Sequence, residues 1–233
     1  MALARWKDLC IDAADAAVVG RFWADALGLE LTVDDDGDAV LRGARPEETI
    51  WINAVPEPTT SKNRVHLDVD VTSLDPLLDL GATVLRPEGD GGIRWTLLAD
   101  PEGNELCAFL RDEIDTDAPA RRYAMVVDCA SSQASQAEAT WWADVLGATV
   151  NDDGRGFWWV EGIDGFPFDS WDLVPVPEPK TVKNRIHWDL VCDDVPALVA
   201  RGCTVLRAPD GDISWHVLAD PAGNELCAFP SAE

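Results

Sequence analysis

The phrase NRVHLD at residues 63–68 returns as NRIHWD at residues 184–189, which is 121 positions later in the chain. The chain has three histidines, and two of them occupy the same place in this phrase. The match extends without a gap, because VPEPTTSKNRVHLDV at 55–69 aligns with VPEPKTVKNRIHWDL at 176–190. Such an offset is far longer than the period of a solenoid repeat. The sequence therefore indicates a duplicated domain.

A second pair of matching stretches supports the duplication. LLADPEGNELCAF at 97–109 matches VLADPAGNELCAF at 217–229. Two units of about 110 residues are each long enough to enclose a hydrophobic core. The stretch between them is charged and contains a proline, without apolar periodicity. We predict a first domain at 1–112, a linker at 113–120 and a second domain at 121–233.

Charge and apolar patterning exclude several classes of partner. The chain has 43 acidic and 18 basic side chains among 233 residues, a formal net charge of −25. Nucleic acid and anionic membranes would repel such a chain. No apolar run is long enough for a membrane span, and the N-terminal stretch carries acidic residues where a signal peptide needs an apolar core. The six cysteines form no close CxxC pair and are typical of reduced thiols, so we expect a cytoplasmic protein.

Each half has the pattern of a strand, a helix and three strands, followed by the same pattern again. The first strand is WKDLCID at 6–12, and the helix after it is predicted to begin at a cap on Asp15 and to end at Gly28. The second set begins with RVHLDVDV at 64–71. We predict an α+β fold in which the two βαβββ modules of each half pair into one curved, mostly antiparallel sheet of eight strands, with the helices outside.

Strand alternation explains the repeated histidine. In VHLDVDV at 65–71, the valines and Leu67 point to one face, which we expect to pack on helices. His66 and Asp68 then point to the opposite face, which becomes a pocket if the sheet curls. By the same rule, Trp188 is expected to be buried against the helices.

We predict one small-molecule pocket in each half, lined by the residues that alternation places on the polar faces. In the first half these residues are Asp12, Trp51, His66, Asp68, Trp95, Cys107 and Phe109. In the second half they are Asp128, Trp171, His187, Asp189, Trp215, Cys227 and Phe229. His66 and His187 are the candidate catalytic bases, each oriented by a neighbouring aspartate. The alternative is a histidine at the rim of the core that is merely satisfied by that aspartate.

The paired βαβββ modules, a helix that ends in FWADALG at 22–28 and the turn DPEGNE at 100–105 resemble the vicinal oxygen chelate superfamily. More narrowly, the chain resembles the glyoxalase-like, bleomycin-resistance-related proteins, as two tandem domains. The resemblance implies the fold. It leaves the activity open, because the superfamily includes glyoxalases, extradiol dioxygenases, epimerases, thiol transferases and drug-sequestering proteins.

The resemblance also implies positions for metal ligands. In the first domain these positions hold Asp8, Trp51 or Asn53, His66 and Cys107. In the second domain they hold Ala124, Trp171 or Asp172, His187 and Cys227. The family uses His or Glu at these positions, and in each domain only the histidine, His66 or His187, is of that type. We therefore expect no metal cofactor at stoichiometric level and no extradiol dioxygenase activity. A divalent metal bound by Asp12, His66 and Cys107 stays open as the alternative.

Three classes of function follow from these observations. We favour a protein that binds or sequesters an aromatic or oxygenated metabolite, because eleven tryptophans offer flat surfaces for ligand contact. We expect it to be a monomer or a homodimer. The second class is a glyoxalase-type lyase or isomerase that uses His66 or His187 as base or metal ligand. The third is a module without a ligand. Lys62 and Arg64 of the proline-rich segment are interpreted as surface charge, with contact to an anionic group as the alternative.

Overall fold

The computed structural model describes residues 2–231, which form sixteen β-strands and four α-helices. In the first half, β1 is Arg5–Ala13, α1 Ala16–Leu27, β2 Glu30–Val33, β3 Ala39–Arg42, β4 Ile50–Ala54, β5 Val65–Val71, α2 Asp75–Asp79, β6 Thr83–Arg86, β7 Thr96–Ala99 and β8 Glu105–Leu110. In the second half, β9 is Ala120–Cys129, α3 Ser132–Leu146, β10 Thr149–Asp152, β11 Trp158–Glu161, β12 Ser170–Pro175, β13 Ile186–Val191, α4 Val195–Ala200, β14 Thr204–Arg207, β15 His216–Ala219 and β16 Glu225–Phe229.

Within residues 2–231 the strands form two sheets of eight. Sheet A has the order β14-β15-β16-β13-β1-β4-β3-β2, and sheet B has the order β10-β11-β12-β9-β5-β8-β7-β6. Most neighbours are antiparallel, and β4 beside β1 is an example of a parallel pair. The predicted α+β class, with two eight-stranded sheets made of βαβββ modules, is confirmed.

The pairing of modules differs from the one expected. Each sheet combines one module from each half, because β1 pairs with β13 in sheet A and β5 pairs with β9 in sheet B. The proline-containing segments 55–64 and 176–185 cross between the sheets. Extended polyproline-type backbone covers about 3 Å per residue, so each segment can span roughly 30 Å. That reach suits a crossing between sheets better than a tight return within one sheet.

The two long helices, α1 and α3, begin at a side-chain cap and end at a glycine. The Asp15 carboxylate accepts from the Val18 backbone N–H at the start of α1, at 3.1 Å. Gly28 ends that helix with φ of 67°, a left-handed conformation that favours glycine. Helix α3 repeats this plan with a Ser131 cap. The apolar faces of the helices pack on the sheets and form the core. No helix within residues 2–231 has the length and apolarity to span a membrane.

Tryptophans fill much of the core. Trp142, Trp171 and Trp188 are each at most 1% exposed, and the Trp142 and Trp171 rings stack with centroids 4.7 Å apart. Trp188 is therefore buried against the helices, as predicted. The prediction that Trp171 lines a pocket is wrong, because its side chain lies on the helix-packed face of β12 and the next residue, Asp172, faces the pocket. Tryptophan content thus reflects core packing as well as ligand contacts.

Candidate functional site

Strand β5 carries the polar face of sheet B. Val65, Leu67 and Val69 are each 1% exposed and belong to the core. His66 and Asp68 point the other way and line a cavity. The strand therefore separates a helix-packed face from a chemically reactive one, as alternation requires.

His66, Asp68 and Cys107 form a compact cluster on this face. One potential ligand atom from each lies within 4.8 Å of the other two. The parallel register of β5 and β8 sets Cys107 beside Asp68, and His66 Nε2 is 3.5 Å from Asp68 Oδ1. That carboxylate oxygen is buried without a hydrogen-bond partner in the described residues. Such an atom marks a place where a proton, a ligand or a cation would be stabilised.

Burial governs the protonation of the cluster. It lowers the pKa of His66 to about 4, against the opposing charge of Asp128, so the imidazole is neutral at neutral pH. Burial, followed by the charge of Asp172, raises the pKa of Asp68 well above its usual range. Burial also raises the pKa of Asp172 to about 6. The pKa of the Cys107 thiol is raised by burial and then by Asp68, so the thiol keeps its proton.

A cavity of about 560 Å³ lies over the cluster. Phe109 lies between Trp95 and Tyr123, with ring centroids 5.7 and 5.4 Å apart respectively, and the three rings form an aromatic wall. Lys62 lines the polar side. The apolar part of the remaining lining consists of Ile93, Leu97, Val126, Phe157, Val174 and Val176. The cavity therefore joins a broad apolar surface to a small group of polar atoms.

Sheet A carries the same three residue types in Cys10, His187 and Asp189. Burial lowers the pKa of His187 to about 4. Burial, followed by the charge of Asp8, raises the pKa of Asp189 to about 7. Burial and Asp189 raise the pKa of Cys227 on the neighbouring strand. His187 Nδ1 and Asp189 Oδ1 are buried without hydrogen-bond partners among the described residues.

The two sheets differ in what contacts the cluster. In sheet A, Lys7 Nζ lies 3.0 Å from Asp8 Oδ1, 3.9 Å from Asp189 Oδ2 and 4.3 Å from the centroid of the Phe229 ring. Trp51 Nε1 donates to Asp8 Oδ2 at 2.9 Å. The protein's own lysine and indole thus bind to polar groups of sheet A, whereas sheet B presents its cluster to a cavity.

Asp12 and Asp128 change places relative to the predicted pockets. Asp128 lines the cavity with His66, and its charge acts on that imidazole. The charge of Asp12 acts on His187. The grouping of Asp12 with His66, and of Asp128 with His187, is wrong because each sheet takes one module from each half. The alternative metal set that used Asp12 with His66 is excluded for the same reason.

The remaining predicted residues divide between the sheets. Trp95 and Phe109 line the cavity in sheet B. Trp215 and Phe229 stack in sheet A, with centroids 4.9 Å apart. Trp51, predicted to share a pocket with Trp95, lies in sheet A, because β4 pairs with β1 there.

Tyr123, Phe157 and Asp172 line the cavity but were absent from the predicted pocket lining, where Asp172 was named only as the alternative to Trp171 at a metal-ligand position. All three come from the second half, so only the module exchange brings them to His66. The sequence could have indicated Asp172. The adjacent stretches 55–69 and 176–190 align at an offset of 121 residues, and at that offset Trp51 corresponds to Asp172 and not to Trp171. A one-residue slip in a strand moves a side chain to the opposite face.

The two clusters suit a zinc ion in the type and closeness of their donors. Thiolate, imidazole and carboxylate are ordinary zinc ligands, and three of them leave a position for substrate. In sheet B the unsatisfied Asp68 Oδ1 is such a donor, beside His66 and Cys107. A bound cation would favour the thiolate and the carboxylate, the ionised forms that burial disfavours. The residues present therefore fit the kind of metal that the fold family implies.

Comparison with known proteins agrees with this architecture. A model of the glyoxalase-like domain matches residues 8–109 and again residues 124–229. No curated protein matches the chain with significant sequence similarity.

Solved structures match along almost the whole chain. Glyoxalase I from Zea mays superimposes with a TM-score of 0.66 and 14% identity, covering 97% of this chain and 92% of that one. A putative dioxygenase from Bacillus subtilis subsp. subtilis str. 168 has a TM-score of 0.65 and 13% identity, covering 100% and 86%. The cppA protein of Streptococcus pneumoniae TIGR4 has a TM-score of 0.53 and 12% identity, covering 99% and 100%. At these identities the likeness concerns the fold alone.

Proposed function

The chain belongs to the glyoxalase-like domain family, in two tandem copies, and from that premise we propose that it binds a small molecule in the cavity of sheet B. The ligand is planar and aromatic or oxygenated, and binding or sequestration is the function. The cavity of about 560 Å³, with an aromatic wall and a few polar groups, carries the proposal. Ligand sites typically measure about 300–1,000 Å³ and combine these two kinds of lining.

Each part of the cavity has a role in this proposal. The rings of Trp95, Phe109 and Tyr123 offer faces and edges to an aromatic ligand. The neutral His66 imidazole offers a hydrogen bond to a hydroxyl or carbonyl of the ligand. The protonated Cys107 thiol adds a weak donor.

Trp95 provides the test. We expect hydroxylated naphthalenes to change the tryptophan fluorescence saturably, and Trp95→Phe to remove most of that change because its indole lies in the wall. His66→Ala should weaken binding by about 1–3 kcal/mol through loss of a buried hydrogen bond. Calorimetry measures the affinity independently of fluorescence.

Trp215→Phe is the matched control, because Trp215 is stacked on a phenylalanine in sheet A just as Trp95 faces one in sheet B. This variant should keep the fluorescence change. The proposal would be contradicted by equal losses in both variants, or by a binding affinity that His66→Ala leaves unchanged.

A lyase or isomerase of the glyoxalase type is the second candidate. It is favoured by the neutral His66 imidazole, which can accept a proton beside the unsatisfied Asp68 oxygen. If zinc were bound by His66, Asp68 and Cys107, the ion would polarise an oxygen of the substrate. The closeness of the three donors supports this candidate.

Metal analysis separates the two candidates. We expect protein purified without added metal to hold less than one zinc per cluster at neutral pH, because burial raises the pKa of Cys107 and of Asp68 and so disfavours the ionised forms that bind metal. Zinc affinity should then rise with pH as those ionised forms become easier to reach. Cys107→Ser should abolish the binding at the sheet B cluster, and Cys192→Ser, a buried thiol outside both clusters, should not. Stoichiometric zinc that survives chelation and is lost in Cys107→Ser would favour the lyase.

We further propose that the protein acts in the cytoplasm. Its six cysteines all lie within the described residues and are free and buried, which supports a reducing compartment.

A further inference from the structure

A second cavity, of about 430 Å³, lies between the two crossing segments 55–64 and 176–185. Its charged lining consists of Lys62, Arg64, Lys183 and Arg185, with Asp12 and Glu57. Four cationic side chains thus meet two acidic ones, in a chain whose formal net charge is −25. The equivalent KNR triplets of the two repeats supply all four cations.

Arg64 is a buried cation without an acidic partner. It is 7% exposed, and its Nη1 and Nη2 donate to the backbone carbonyls of Glu178 and Asp128, both at 2.7 Å. Its Nε has no hydrogen-bond partner. Within residues 2–231 no carboxylate oxygen lies inside the 4.0 Å limit for an ion pair with this guanidinium. A charge held in this way is costly unless a counter-ion reaches it.

Arg185 donates to a backbone carbonyl of the other half in the same way, but unlike Arg64 it forms a long ion pair with Glu102. Its Nη1 donates to the Glu57 carbonyl at 2.8 Å, while Nε and Nη2 have no hydrogen-bond partner in the described part of the chain. Glu102 Oε2 is 3.7 Å from Nη2, too far for a hydrogen bond, and accepts from the Ala14 N–H at 2.8 Å instead. Donors of both arginines therefore stay unused at the junction of the two halves.

The charges of the two lysines in the cavity are compensated by close ion pairs. Lys62 forms an ion pair with Asp128, and Lys183 forms one with Asp12. Their side chains are 46% and 60% exposed, so they lie nearer to solvent than the arginines. The least compensated positive charge of the cavity is therefore that of Arg64, which has no ion pair, followed by that of Arg185, whose ion pair with Glu102 is long.

We propose that this cavity binds a small oxyanion, carried by a carboxylate or phosphate group, through Arg64 and Arg185. The planar fork of a guanidinium matches the oxygens of such groups and favours them over a spherical anion such as chloride. The anion neutralises the Arg64 charge, which has no ion pair within the described residues, adds to the weak pairing of Arg185, and joins the two repeats at their crossing point. This site is separate from the aromatic cavity and does not depend on the ligand proposed there.

The test titrates the full-length protein with inorganic phosphate and, separately, with malonate, at an ionic strength held constant with sodium chloride. We expect saturable binding by calorimetry and a rise in melting temperature with at least one of the two probes. The probe that binds more tightly identifies phosphate or carboxylate as the preferred group. Arg185→Gln should weaken binding about tenfold or more, because a charge-assisted hydrogen bond is lost.

Two further variants keep the test decisive. Arg155→Gln changes the net charge equally at an exposed position and should leave binding unchanged. Lys183→Gln should fold even if Arg185→Gln does not, since Lys183 is mostly exposed, and should weaken binding because Asp12 then repels the anion. Absence of saturable binding to wild-type protein, or equal affinities in Arg155→Gln and Lys183→Gln, would overturn the proposal and leave the arginines as a purely structural clamp.

Discussion

Glu138 is buried in helix α3 at 8% exposure, where an ionised carboxylate would be unstable. Burial, followed by the charge of Asp220, raises its pKa to about 8. Asn224 Nδ2 lies 3.4 Å from Glu138 Oε2, and the Cys129 thiol lies beside it. The carboxyl therefore stays mostly protonated in the folded protein at neutral pH, whereas in the unfolded chain it ionises in the usual acidic range.

This difference predicts that the free energy of unfolding falls as pH rises from about 4.5 to about 8, because the unfolded chain then loses a proton that the folded chain keeps. Glu138→Gln, which is neutral at every pH, should reduce that slope and be more stable than the wild type at about pH 8 by about 1–3 kcal/mol. Urea unfolding across this pH range measures both quantities. Glu113→Gln, at an exposed position, should retain the wild-type slope. An unchanged slope in Glu138→Gln would show that the carboxyl ionises freely in the fold.

At the scale of elements, strand faces could be predicted wherever alternation was strict. VHLDVDV sets His66 and Asp68 opposite a continuous apolar row, and the structure keeps that division. The order of strands and helices in each module, and the caps at Asp15 and Gly28, followed from local sequence for the same reason.

Strand β12 shows where element-level reasoning failed. The stretch SWDLVP has a tryptophan, an aspartate and two apolar residues without strict alternation, so either face could be assigned to Trp171. Its packing against Trp142 and Trp188 settles the matter, because a large indole gains more from the core than from a half-solvated pocket. Trp142 and Trp188 lie on other elements, α3 and β13, and the pattern of strand β12 alone does not show this packing.

At the scale of the whole molecule, the duplication could be predicted but the exchange of modules could not. Each module offers its first strand, which is β1, β5, β9 or β13, for pairing with the first strand of another module, so the sequence allows a module to pair within its own half or with the other half. The two crossing segments, 55–64 and 176–185, determine which modules pair, because each connects a strand of one sheet to a strand of the other. Each candidate site therefore combines residues from both halves, as Asp128 beside His66 illustrates.

The exchange predicts that neither half folds as a native monomer. Expressed alone, residues 1–112 would leave β1 and β5 without β13 and β9, the strands to which they pair along their length. Light scattering should find this half as dimers or aggregates, because exposed edge strands recruit new partners. Mixed with residues 113–233, it should form an equimolar complex with the melting temperature of the intact chain.

As a control, a protease site inserted at 113–118 should allow cleavage without dissociation, since the strand pairs between halves hold the pieces together. A half that remains monomeric, with a cooperative melting transition like that of the full chain, would show that each half can form its own sheet.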